Sequence, residues 1–256
     1  MRLHFREYGQ GPPLIILHGL FGSLDNWSAI SSRLAPDFHV YAVDQRNHGG
    51  SLHSDEMNYR LMADDLREFM EDRAIDKAHV LGHSMGGKTA MQFALQYGRK
   101  VDRLVVVDVA PRAYEPEHEY IFAALFGLDL PKYRTRPEIE QALAPQINDL
   151  AVRRFLLKNL VRSPDDMFEW RFNLSGLHRN YSALAGGLDR EGEFDGPSLF
   201  LRGEKSDYVA DSDWPAIQKQ FPRAESVTVP GAGHWVHVES MEFFLVTVKK
   251  FLGEKN

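Results

Sequence analysis

The 256-residue chain predicts an α/β fold, a mostly parallel sheet with helices on both faces, interrupted by a helical insertion. Three observations carry that expectation. Short apolar runs alternate with helical patterns as far as Asp108. Strand-like runs return only after Leu188. Between them no run reads as a strand.

In chain order, residues 2–8 alternate weakly and predict an edge strand. Gly9-Gln10-Gly11-Pro12-Pro13 is a turn. Leu14-Ile15-Ile16-Leu17 is apolar throughout, as a strand covered on both faces requires. Residues 39–43, 78–81 and 104–107 read the same way, with helical patterns at 27–34, 57–73 and 87–97 between the runs. In such sheets ligands bind beyond the carboxyl ends of the strands. His18, Asp44, Ser84 and Asp108 all fall at those ends. Short helices are expected at 119–126, 137–143, 150–160 and 164–168, separated by Pro and Gly. Strands resume at 198–202 and 225–229, and a last helix over 241–252 ends in a polar tail that is expected to fray. The domain expectation is a core of residues 1–110 and 189–256, with a helical cap of 111–188 inserted in it.

Composition narrows the function. With 36 acidic against 30 basic residues and a net charge of −6, the chain lacks a nucleic-acid footprint. It has no basic run, so a polybasic membrane patch is not expected either. There is no cysteine, which excludes disulfides, thiolate metal sites and thiol catalysis. Met1-Arg2-Leu3-His4-Phe5 opens without a long apolar region, and no run is long enough to span a bilayer. A cytoplasmic monomer or homodimer acting on a small molecule is the expectation.

Gly82-His83-Ser84-Met85-Gly86 is the most informative stretch. It reads G-x-S-x-G between a strand run and a helix pattern, the context of a nucleophile elbow. Glycines two residues either side of the serine relieve crowding where strand and helix meet. A serine needs a base, and in this arrangement the histidine comes last in the chain. His234 fits, after Pro230-Gly231-Ala232-Gly233 and before the final helix, whereas His237 is placed on that helix facing elsewhere. The residues leave two candidates for the acid: Asp108, at the end of its strand, and Asp207, after the strand that ends near Arg202. Either could orient the imidazole. The oxyanion donors are expected to be the N–H of Met85 and, from His18-Gly19-Leu20-Phe21-Gly22, that of Leu20 with Phe21 as fallback. Histidines 18, 48 and 83 are expected in structural hydrogen bonds, and the histidines show no metal-ligand spacing.

His18-Gly19-Leu20-Phe21-Gly22-Ser23, Asp44-Gln45-Arg46-Asn47-His48-Gly49, Gly82-His83-Ser84-Met85-Gly86-Gly87-Lys88 and Gly231-Ala232-Gly233-His234-Trp235 together resemble the α/β-hydrolase fold family. Within it, the chain resembles the YbfF-type esterases and their mitochondrial ABHD11-like relatives, with Glu169-Trp170-Arg171-Phe172-Asn173-Leu174 extending the likeness into the cap. The resemblance implies an eight-stranded, mostly parallel sheet. It implies carboxylesterase or acyl thioesterase activity on small esters or acyl-CoA thioesters, through a Ser-His-Asp triad and without a cofactor or metal. It favours Asp108 over Asp207 as the acid. Ser206 is expected near His234, and Phe21, Ser206, Trp170, Arg171 and Trp235 are expected at the substrate. Phe122, Phe126, Tyr133, Phe155, Trp170 and Phe172 either line an acyl pocket or form the cap's own core, the second being favoured. The rival readings are another chemistry on the same triad (a C–C hydrolase, a menaquinone-pathway lyase or a perhydrolase, with Arg46, Arg112 and Arg171 meeting a charged substrate) and a non-enzymatic ligand receptor.

Overall fold

A computed structural model describes residues 1–189 and 192–253. The chain opens with β1 (Phe5–Tyr8), β2 (Pro13–Leu17), α1 (Ser28–Leu34), β3 (His39–Val43), α2 (Tyr59–Asp72), β4 (Ala78–His83), α3 (Met85–Tyr97) and β5 (Val101–Val107). The segment inserted after β5 holds α4 (Glu119–Phe126), α5 (Arg136–Leu143), α6 (Leu150–Leu157), β6 (Leu160–Arg162), β7 (Phe168–Trp170), α7 (Leu174–Arg179) and α8 (Tyr181–Ala185). Then follow β8 (Ser198–Gly203), α9 (Trp214–Gln220), β9 (Ala224–Val229), α10 (Val236–Glu239) and α11 (Met241–Leu252). The tail beyond Gly253, expected to fray, lies outside the described residues.

The main sheet has seven strands in the order β1-β3-β2-β4-β5-β8-β9, parallel except for the antiparallel edge strand β1. This corrects the expected eight. The seven strand-like runs read in the sequence each form one strand, and no eighth strand extends the sheet among the described residues. Alternate side chains go to opposite faces. Ile15, Leu17, Val80 and Val106 pack with Leu66, Met70 and Met91 of α2 and α3. Leu14, Ile16, Leu81 and Val105 pack with Ile30, Leu34, Phe244 and Val248 of α1 and α11.

The insertion has its own apolar cluster, including Phe122, Leu125, Ile139, Leu143, Leu156, Phe168 and Leu177, which runs into Phe21 and Met85 of the base. It also contains the second correction: residues 164–168, expected as a helix, instead close a hairpin between β6 and β7. Ser163 N–H donates to the Met167 carbonyl at 2.8 Å, Asp166 takes φ +58° at the turn, and the Arg162 guanidinium lies 3.8 Å over the Phe168 ring. That side-chain cover compensates for strands of three residues each, too short to show alternation.

Candidate active site

Ser84 sits between β4 and α3 at φ +53°, a strained position for any residue with a Cβ. The elbow closes only because its flanks are bare. A Cβ on Gly82 would run into the Gly86 carbonyl, and one on Gly86 into the carbonyls of Leu17 and His18. The Ser84 N–H donates to the Val107 carbonyl at 3.0 Å, which places the elbow beside the end of β5. The next residue there is Asp108, fully buried and also at φ +53°.

Asp108 gathers three donors. Its Oδ1 accepts from Gly203 N–H at 2.9 Å, and its Oδ2 accepts from the Ser206 hydroxyl and from His234 Nδ1 at 2.8 Å. With the proton on Nδ1, Nε2 of His234 is left as an acceptor. The imidazole is gripped further by Tyr208, stacked at a centroid distance of 4.0 Å, and by His83, whose Nε2–H donates to the His234 carbonyl at 2.9 Å. Asp207 is exposed and, among the described residues, makes no bond to His234. Between the two acid candidates, the structure brings Asp108 to the histidine. Ser206 joins through the same carboxylate oxygen. His237 lies on the short α10, not on the final helix as expected, and is buried and stacked on Trp27 at 4.2 Å. Among the described residues the Ser84 hydroxyl has no hydrogen-bond partner. Catalytic hydrogen bonds are often long before substrate arrives.

The loop after β2 is a turn closed by Gly22 N–H on the Gly19 carbonyl at 3.0 Å, with Phe21 at φ +57°. The Phe21 N–H donates to His48 Nε2 at 3.2 Å and its carbonyl accepts from Asn159 Nδ2 at 2.7 Å. The fallback donor is therefore already used, while the N–H groups of Leu20 and Met85 have no partner among the described residues. Leu20, Ser84 and Met85 line one cavity of about 60 Å³. His18 and His48 brace this loop. Each donates from Nδ1 to a carbonyl (Gly19 at 2.8 Å, Arg46 at 2.9 Å), and His18 Nε2 accepts from Gln45 N–H at 3.0 Å. Burial lowers the pKa of both and keeps them neutral acceptors.

Several expected substrate contacts are not at the cavity. Phe21 is buried against Phe122 and Phe172. Trp170 stacks on Phe172, and Trp235 packs on Phe155. Arg171 pairs with Asp25 at 3.0 Å. Arg46 is bidentate to buried Asp65 at 2.6 and 2.8 Å, and Arg112 pairs with Asp213 at 2.8 Å. None of the six aromatic residues weighed for a pocket lines it; five pack in or against the insertion's core and Phe126 is exposed. The walls are instead Tyr59, Tyr114, Tyr181 and Tyr208, with His118, Leu184 and Lys88. These come from five separate segments, so no local spacing announces them. Lys88 alone leaves a signal, a lysine four residues past Ser84 in an otherwise apolar helix start.

This fold and this constellation define a class. A family profile described as the alpha/beta hydrolase fold matches residues 12–240, and the chain belongs to that family. It is 37% identical to the esterase YbfF of Escherichia coli, over 94% of this chain and 93% of that one. It is also 37% identical to the sn-1-specific diacylglycerol lipase ABHD11 of Mus musculus, over 94% of this chain and 81% of that one. A solved marine microorganism esterase superposes with a TM-score of 0.95 at 43% identity, covering 97% of this chain and 98% of its own.

Proposed function

We propose that the chain is a serine carboxylesterase for short acyl groups. The observation that carries this reading is the 2.8 Å bond from His234 Nδ1 to buried Asp108, set beside a serine held at φ +53°. Ser84 Oγ attacks the ester carbonyl as His234 Nε2 takes its proton, and Asp108 stabilises the imidazolium. The N–H groups of Leu20 and Met85 receive the oxyanion, the latter at the positive end of α3. His234 then protonates the leaving alcohol, and water attacks the acyl-enzyme by the same route in reverse. A thiol leaves by the same steps, so acyl thioesters are read as substrates too.

Residues 111–188 act as a cap that closes the acyl side. The small cavity favours short acyl chains over the long chains of a lipid. The engagement of Arg46, Arg112 and Arg171 in ion pairs with Asp65, Asp213 and Asp25 speaks against the C–C hydrolase and lyase readings. The test is a series of p-nitrophenyl esters from acetate to palmitate, with fluorophosphonate labelling of Ser84. Turnover should peak at the short end and fall roughly 10⁴-fold or more in Ser84→Ala. Turnover that survives Ser84→Ala, or a folded protein that takes no label, would reject the reading.

A further inference from the structure

Lys88 lies one helical turn past Ser84 on α3 and is only 2% exposed. A buried charge is costly unless it is paired, and the base obeys this elsewhere, as Arg46 on Asp65 shows. Lys88 departs from it. Its ammonium donates to the Ala185 carbonyl at 3.4 Å and to the Gly186 carbonyl, at the end of α8. The rings of Tyr114 and Tyr59 lie 4.6 and 5.5 Å from it. Among the described residues it makes no salt bridge. Two carbonyls and two ring faces orient an ammonium without neutralising it, and one of its three donors is left over. The same side chain lines the cavity that holds Ser84.

We propose that Lys88 forms the far wall of the acyl site and that the preferred acyl group ends in a carboxylate, which supplies the counter-ion the fold withholds. This rests on the serine esterase reading and names its substrate class. Ser84 and Lys88 line the same cavity of about 60 Å³, so the acyl group between the hydroxyl and the ammonium has few carbons. Succinyl-type groups fit that description. Asp189, whose charge reaches Tyr59, is exposed, and Asp108, whose charge reaches Tyr114 and Tyr208, is taken up by Gly203, Ser206 and His234. Glu115 and Glu117 line the cavity but are exposed, so water and salt screen them. Arg112, whose guanidinium lies 4.1 Å over the Tyr114 ring, is paired with Asp213, which offsets its charge. Tyr59, Tyr114, Tyr181 and Tyr208 are all pushed up by burial and stay protonated, and His118 is pushed down to about 4 and stays neutral. Lys88 itself is pushed down to about 7 by burial and Arg112, so its charge changes near neutrality, and a bound carboxylate holds the proton on.

The experiment compares kcat/KM for monoethyl succinate and ethyl pentanoate, substrates of similar length with and without the terminal charge. The ratio of charged to neutral should fall at least tenfold in Lys88→Met, whatever happens to the neutral ester alone. In the unaltered protein the same ratio should decline as pH rises from 6 to 9. This second measurement stands even if Lys88→Met does not fold. A ratio that is flat with pH, or unmoved in folded Lys88→Met, overturns the proposal and leaves Lys88 as a clasp on α8. Loss of turnover on both esters, with no phosphonate label on Ser84, would instead reject the esterase reading beneath it.

Discussion

In the base, Ser84, Asp108 and Phe21 all stand at positive φ, and hydrogen bonds hold each in place. In the insertion, Tyr181 and Leu184 belong to an apolar cluster that packs side chains against the base. Polar ties to the base include Asn159 to the Phe21 carbonyl, Asn173 to Asn47, Asn180 to Met57, Tyr59 to the Leu184 carbonyl and Lys88 to the Ala185 carbonyl. The contrast separates two duties. Geometry for proton transfer must be met within fractions of an ångström, and strained backbone locked by hydrogen bonds supplies it. Shape around an acyl chain tolerates small shifts, and packed side chains supply that.

The comparison breaks most sharply at Asp108. Asp108→Asn should keep the fold but lower kcat roughly 10³–10⁴-fold, because the asparagine favours the wrong imidazole tautomer. Asp207→Asn should stay within about twofold. Similar losses from both, measured on p-nitrophenyl acetate, would mean that the hydrogen-bonded side is not where the acid acts.

A smaller effect is expected across the cavity. Phe122→Ala removes a fully buried ring from the insertion's cluster and should cost about 3–5 kcal/mol of stability. Hydrogen exchange should show the loss first in α4 and α7, with β4 and β5 still protected. Equal loss of protection in both regions would show that they unfold as one unit.

The smallest effect concerns acid. Burial lowers His118 to about 4 in the insertion and His237 to about 3 in the base. Each unfolds into a histidine near 6.5, so below that pH the unfolded chain binds more protons. Their contribution is complete above pH 6.5 and is lost as pH falls towards 4 and 3. At about 1.4 kcal/mol per unit, roughly 2 kcal/mol per group should be gone by pH 5. Urea melts of His118→Gln and His237→Asn across pH 5 to 7.5 would read the two shares separately. Unchanged pH slopes in both would refute the assignment.

The core was legible because its signals are local. Apolar runs such as Leu14-Ile15-Ile16-Leu17, bounded by turn residues, fit strands covered on both faces. The elbow demands glycine at 82 and 86, and the chain order that goes with such an elbow puts the histidine last. Hairpin β6–β7 was hidden because three-residue strands carry no period. The acid was open because Asp108 and Asp207 both follow strands, and sequence does not say which carboxylate the His234 loop meets. Tertiary structure decided that, along with the cavity walls. Tyr59, Tyr114, Tyr181 and Tyr208 converge from distant segments, and the charges of Arg46, Arg112 and Arg171 are taken up by Asp65, Asp213 and Asp25. Local backbone demands are written in neighbouring residues. Which side chains share a cavity, and which charges find partners, depends on packing between segments far apart in the chain.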